Sequence, residues 1–227
     1  AANGNTVDTT FSTPDMLSID FGLINTLPVT FTLTRDESDL PMLPFNAIVR
    51  NYIGLGFESL TLTISGGLFN TLGSAVTAAR NYSENAKGYL NASTVGPRYT
   101  TWFGAYTSSR YGTARSNFTA IDTAMDQSGG QITINCGCNQ SYYAYVYPTR
   151  PYEIFVCRAF WNAPMTGTDS KAGTLIHEMS HFNVVAGTDD LVYGQSGAKN
   201  LASTNPTDAL RNADNHEYFA ENTPNQN

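Results

Sequence analysis

Five consecutive residues, His177-Glu178-Met179-Ser180-His181, carry the chemistry that most constrains this chain. On a helix, side chains four apart lie on one face, so imidazoles at that spacing can grip one zinc ion. Glu178 projects beside them, where it can take a proton from a water held by the metal. The chain has three histidines, and two of them fall in this pentapeptide. A catalytic zinc takes three protein ligands and leaves one position open for water. A third residue on the same helix face would be poorly aimed, so that ligand must come from elsewhere. Spacing alone leaves Asp189, Asp190 and His216 as candidates.

A helix must present these groups. Gly167-Thr168-Asp169-Ser170 offers N-cap residues, and Ala172, Leu175, Ile176, Met179 and Phe182 recur at helical intervals. The pattern predicts a helix over 170–184 with its apolar face buried and both histidines facing a cleft. Gly187 is the expected stop. Downstream, Asp214 and Glu217 share a face of a second helix expected over 206–221. Two adjacent carboxylates favour a cationic partner. Read from the residues alone, they fit an ordinary solvated acidic helix face better than a binding site.

The segment Gly187-Thr188-Asp189-Asp190-Leu191-Val192-Tyr193-Gly194 resembles the G-T-x-D-x-x-Y-G signature of the aspzincins, the family of deuterolysin and peptidyl-Lys metalloendopeptidases. Similar words run from about residue 70 to the end, among them Pro97–Gly104, Ala144–Pro148, Ala159–Trp161 and Asn212–Phe219. The resemblance implies Asp190 as third zinc ligand and Tyr193 as the donor to a developing oxyanion. A phenol suits that task because it keeps its proton near neutral pH. It also implies that Asp214 and Glu217 build an acidic S1′ pocket for Lys. A compact ammonium can reach both carboxylates, whereas a guanidinium is broader and planar.

Length and composition agree with a secreted hydrolase. The 227 residues can bury one substantial core, with 14 % charged residues and a net charge of −7. That balance gives no reason to expect nucleic acid or an anionic membrane as partner. No apolar run approaches a membrane span, and no basic leader with an apolar core opens the chain, so any signal peptide is expected to be gone already. Only Lys87, Lys171 and Lys199 are lysines, against nine arginines, which suits a protease cutting before Lys. Sequons at Asn81, Asn91, Asn117 and Asn139 allow N-glycosylation if the source is eukaryotic.

There are three cysteines, Cys136, Cys138 and Cys157. The resemblance implies a Cys138–Cys157 disulfide. Cys136 loses its family partner, because this chain reads Gly66-Gly67-Leu68-Phe69 where that cysteine would stand. It is therefore expected to be free and buried, or paired between molecules.

Residues 1–68 alternate apolar and polar over 16–21, 29–34, 47–52 and 59–64, and read as four short strands. Parts of them resemble the last strands of the family's propeptide. Either the chain is a precursor or a shortened proform, or these strands are a permanent part of the fold that replaces the missing disulfide. Helices are expected over 69–90, 101–125, 195–202 and 206–221, with strands near 131–135, 142–147 and 153–157. An edge strand about Tyr145 would pair with extended substrate.

The expected fold is thus α+β. A mainly helical zincin-type catalytic domain with a small antiparallel sheet, residues 69–227, follows the β-rich segment 1–68. The expected function is that of a secreted, monomeric zinc metalloendopeptidase with one Zn²⁺ per chain. His177, His181 and Asp190 are expected as ligands, with Glu178 as base. Its substrates would be proteins or peptides, cleaved on the N-terminal side of Lys. The alternative is a masked or repurposed binding or defence protein, its cleft covered by residues 1–68.

Overall fold

A computed structural model of the chain describes residues 29–34, 60–65, 67–93, 95–126 and 132–227. Contacts divide the chain between Gly73 and Ser74. In the first unit, β1 (Val29–Thr34) and β2 (Leu60–Ser65) pair in parallel, Val29 opposite Leu60 and Thr34 opposite Ser65. These are two of the four expected strands. The other two, over 16–21 and 47–52, lie outside the described residues.

Helix α1 (Gly67–Asn91) buries Ala75, Ala79, Ser83, Ala86 and Leu90, one stripe at helical spacing. Ser83 on that stripe donates to Asp122 Oδ1 at 3.0 Å. After it come α2 (Pro97–Phe103) and α3 (Ser108–Met125). Sequence periodicity predicts one helix over 101–125, and the structure breaks it. Gly104 turns the chain at φ +74°, and a Cβ there would lie 2.1 Å from the carbonyl oxygen of Ala202. Thr107 then restarts the helix by accepting from Arg110 N at 3.2 Å.

The sheet of this unit has three strands, β3 (Thr133–Asn135), β4 (Ala144–Val146) and β5 (Glu153–Val156), in the order β3-β5-β4. It is mixed rather than wholly antiparallel. β4 and β5 form a hairpin, but β3 lies on the far side of β5 and runs parallel to it. The Cys138–Cys157 disulfide closes the segment after β3 onto the end of β5, while Cys136 is free and half-buried. A short α4 (Arg158–Asn162), absent from the sequence reading, follows β5.

Helix α5 (Lys171–His181) lies in the centre and every one of its residues is buried. The expected apolar face is there: Ala172, Leu175, Ile176, Met179 and Phe182 are all buried. The helix ends earlier than expected, because Phe182 turns to extended backbone. Gly187, at φ +58°, instead closes the next loop by donating its N–H to Phe182 O at 3.1 Å. Three helices complete the chain: α6 (Gly194–Thr204), α7 (Pro206–Ala209) and α8 (Ala213–Glu221). The single helix expected over 206–221 is therefore two, split at 210–212.

Helix α8 packs along α5 and is fixed at its far end by Arg98. That buried guanidinium donates to Phe219 O at 2.8 Å and stacks on the Phe219 ring. A cation at a helix C-terminus satisfies carbonyls that lack helical partners. Phe103, Phe118 and Phe219 meet beside it in one aromatic core.

Candidate active site

Ser170 caps α5 by accepting from Gly173 N at 2.9 Å, which sets where the helix begins and hence where its histidines point. The imidazoles of His177 and His181 stand 4.9 Å apart, their planes at 80°. Asp190 Oδ1 lies 3.1 Å from His177 Nε2 and 3.3 Å from His181 Nε2. Ligand-type atoms of the three residues all fall within 4.8 Å of one another.

The protonation pattern is legible at His181. Its Nδ1 lies 2.8 Å from Thr188 O, and a carbonyl can only accept, so Nδ1 carries the hydrogen. In the neutral ring Nε2, 3.3 Å from Asp190 Oδ1, is then the nitrogen whose lone pair could meet a metal. His177 Nδ1 sits 2.9 Å from Asp214 Oδ1 and 3.2 Å from Glu217 Oε2. Neither carboxylate lies in line with the ring N–H, so the contact is electrostatic rather than a well-formed hydrogen bond.

Asp190 reaches the histidines because its loop is tied to the start of α8. Asp189 exchanges backbone hydrogen bonds with Arg211 O and Ala213 N, at 2.7 and 3.0 Å. The side-chain oxygen of Asn212 accepts from Leu191 N and Val192 N, at 2.9 and 3.1 Å. Gly194 N donates to Asp214 Oδ2 at 2.6 Å.

Of the three residues left open by spacing, only Asp190 joins the pair. Asp189 points outward to Arg211, 2.8 Å away. His216 is buried elsewhere, between Asn117 Nδ2 and Asn212 O at 3.0 Å each and stacked on Phe118.

The electrostatics favour a cation. Burial opposes protonation of His177, but Asp190, Asp214 and Glu217 outweigh it and raise its pKa well above the usual imidazole value. Burial pushes Asp190 up, yet the two imidazoles outweigh it and hold the carboxyl well below the usual range. Two imidazoles and a carboxylate, converging within an anionic surround, are a donor set that zinc accepts.

Glu178 lies beside this cluster, 4 % exposed, and burial pushes its carboxyl up to about 7 despite both histidines. Tyr193 as a residue is 68 % exposed, with Asp190 beside its hydroxyl. Partial burial and that carboxylate push the phenol up to about 12, so it stays a donor.

These groups line a cleft of about 850 Å³, whose opposite wall is Tyr142 to Val146. β4 is the edge strand of its sheet, so its outer backbone faces the cleft side unpaired by β5. At one end of the cleft Asp214 and Glu217 are nearly buried, with Asp169 alongside and Glu221 behind them. Tyr218 donates its hydroxyl to Asp169 Oδ1 at 2.6 Å. Among the described residues no Arg or Lys pairs with any of these four carboxylates.

The sequence reading omitted Asn212, Gly173 and Glu221. Only Glu221, one helical turn beyond Glu217, left a signal in spacing that could have found it.

A family model described as lysine-specific metallo-endopeptidase, the aspzincins, matches residues 89–221. The chain belongs to the aspzincin family. An extracellular protease of Aeromonas hydrophila is 54 % identical over 174 residues, 74 % of this chain and 50 % of that protein. The peptidyl-Lys metalloendopeptidase of Armillaria mellea is 49 % identical, covering 69 % of this chain and 44 % of that one. That of Pleurotus ostreatus is 51 % identical, over 67 % of this chain and 90 % of its own. This aspzincin thus spans about half the length of the first two relatives. A solved zinc peptidase from Grifola frondosa superposes with a TM-score of 0.68 at 45 % identity, covering 72 % of this chain and 99 % of that one. The mainly helical α+β fold is the aspzincin fold. No helix among the described residues is long and apolar enough to cross a membrane.

Proposed function

We propose that this chain is a secreted, monomeric zinc endopeptidase that hydrolyses Xaa-Lys bonds in proteins and peptides. The observation that carries the reading is a convergent His177, His181 and Asp190 donor set beside the buried carboxylates of Asp214 and Glu217, with which no Lys or Arg among the described residues pairs. Those three residues would hold one zinc ion. What zinc supplies in such a site, when bound, is Lewis acidity: a lowered pKa for a water in its open position and a polarised scissile carbonyl.

The chain's residues do the rest. β4 pairs with extended substrate along its free edge and lays the scissile bond across α5. Glu178 takes the proton of the attacking water and passes it to the departing amine. Burial raises this carboxyl above its ordinary range, which favours its holding the proton between the two transfers, while a bound zinc would pull it back down. Tyr193 donates its phenolic hydrogen to the oxygen that becomes anionic. Asp214 and Glu217 receive the ammonium of P1′ lysine, the residue just after the scissile bond, whose positive charge offsets theirs.

The names of the relatives support protease activity, the Lys preference and, for the Aeromonas protein, an extracellular setting. They argue against the masked binding-protein reading. Replacing Glu178 with Gln tests the base assignment. Metal analysis should still find one zinc per chain, while turnover of a Lys peptide falls roughly 10²–10⁴-fold. Turnover within a few fold of wild type would remove Glu178 from the mechanism.

A further inference from the structure

Glu217 and Glu221 stand one turn apart on α8, and both carboxylates close on α5 at a single residue, Gly173. A Cβ at Gly173 would lie 2.1 Å from Glu221 Oε1 and 2.9 Å from Glu217 Oε1. Glu221 is the more firmly held of the two, so a methyl at Gly173 would be relieved chiefly by a shift of Glu217. Glu221 accepts from Asp169 N, Ser170 N and Ser170 Oγ at 3.2, 2.9 and 2.8 Å, which pins it to the first turn of α5. Glu217 keeps its other oxygen 3.2 Å from His177 Nδ1. Both side chains are buried.

Glycine is not demanded here by backbone conformation, since Gly173 lies inside the helix and not in the left-handed region. In a helix interior it is less favourable than alanine. What the missing side chain provides is room for two carboxylates. Glu217 lines the cleft and Glu221 does not, so the second carboxylate works from behind the first.

We infer that Gly173 is a specificity-determining position that acts through Glu217. The empty Cβ site fixes where the Glu217 carboxylate meets a P1′ ammonium, and Glu221 is the positioning residue that backs it. This rests on the reading of Asp214 and Glu217 as the Lys pocket. The ordinary alternative is a glycine kept for close helix packing, which would affect stability and both kinds of substrate alike.

The test uses zinc-loaded enzyme and two peptides that differ only at P1′, lysine against uncharged norleucine. In Gly173→Ala the added methyl displaces Glu217, and the Lys-to-norleucine ratio of kcat/KM should fall about tenfold or more. The loss should sit in KM for the Lys peptide, with zinc content kept and norleucine turnover changed by less than about threefold. Glu221→Asp withdraws the backing carboxylate and should lower the same ratio. The double variant, in which the shorter acid makes room for the methyl, should recover part of it, a non-additive outcome.

An unchanged ratio in the single variants, or equal losses on both peptides, would overturn the inference. If Gly173→Ala does not fold, Glu221→Asp and the double variant decide by the same ratio. A wild type with no preference for Lys would sink the pocket reading itself, and this inference with it. A preference that ignores both substitutions would sink the inference alone.

Discussion

His216 shows how one side chain can be withdrawn from catalysis by its neighbours. Asn117 Nδ2 can only donate, so His216 Nε2 must accept, and Nδ1–H is left to donate to Asn212 O. Both ring nitrogens are spent on a neutral imidazole inside an aromatic core. Burial drives its pKa down to about 4, from an ordinary 6.5. The unfolded chain therefore binds this proton more readily than the folded one. The stability held by neutral His216 is whole above pH 6.5 and drains away as pH falls toward 4. Fully titrated, the loss is on the order of 3 kcal/mol. Urea midpoints of the zinc-loaded protein should drop between pH 7 and 5 while the His216 ring signals in an NMR titration stay neutral. A His216 midpoint near 6.5 in the folded protein would contradict the burial argument. At this scale His177, Glu178 and His181 were legible in the sequence because one helical turn fixes their mutual geometry. His216 could not be dismissed from the sequence, since its partners Asn117 and Phe118 lie about a hundred residues away.

The element that completes the candidate zinc site is a loop, 187–194, held against the start of α8. Asn212 is the N-cap residue of α8, but its side chain makes no cap bond. Instead its oxygen takes two backbone N–H groups of the loop, and its nitrogen donates to Asn215 Oδ1 at 2.8 Å. Substituting Asn212 with Ala strands those donors and frees Asp190 to drift from the histidines. Chelator competition should then show zinc affinity lower by about 10–100-fold, as for loss of other groups that orient a ligand. Stability should fall by about 1–3 kcal/mol, the cost of buried polar groups left unpaired. Wild-type affinity in Asn212→Ala would mean that Asp190 is held by something else. Periodicity revealed the long helices but not their interruptions. The break at Gly104 depends on Ala202 and Pro206, which approach only in the folded chain. The stop at Phe182 in place of Gly187 reflects a backbone bond from Thr188 N to Ser180 O that pulls the loop back along α5. The mixed sheet was hidden for the same reason, because strand order is a tertiary property.

Across the molecule, the charge balance is one that the proposed cationic substrate would suit. The net charge is −7 with only three lysines, and all three stand in helices rather than in extended segments that an edge strand could pair with. Lys87 is held by Asp122 and Glu84, and Lys171 donates to Trp161 O and Ala163 O, so neither reaches the cleft acids. Among the described residues His177 is then the basic side chain that meets Asp214 and Glu217, with no Lys or Arg beside it. The sequence showed the count of lysines and the spacing of the two carboxylates. It did not show their burial, because a solvated helix face and a sealed pocket share the same spacing.

The measurement that bears most directly on zinc-dependent cleavage before Lys is mass spectrometry of a denatured protein mixture incubated with this chain, with and without a zinc chelator. The expected result is a set of new N-termini that begin with Lys and vanish when the chelator is present. New termini without Lys preference, or cleavage that survives chelation, would contradict it.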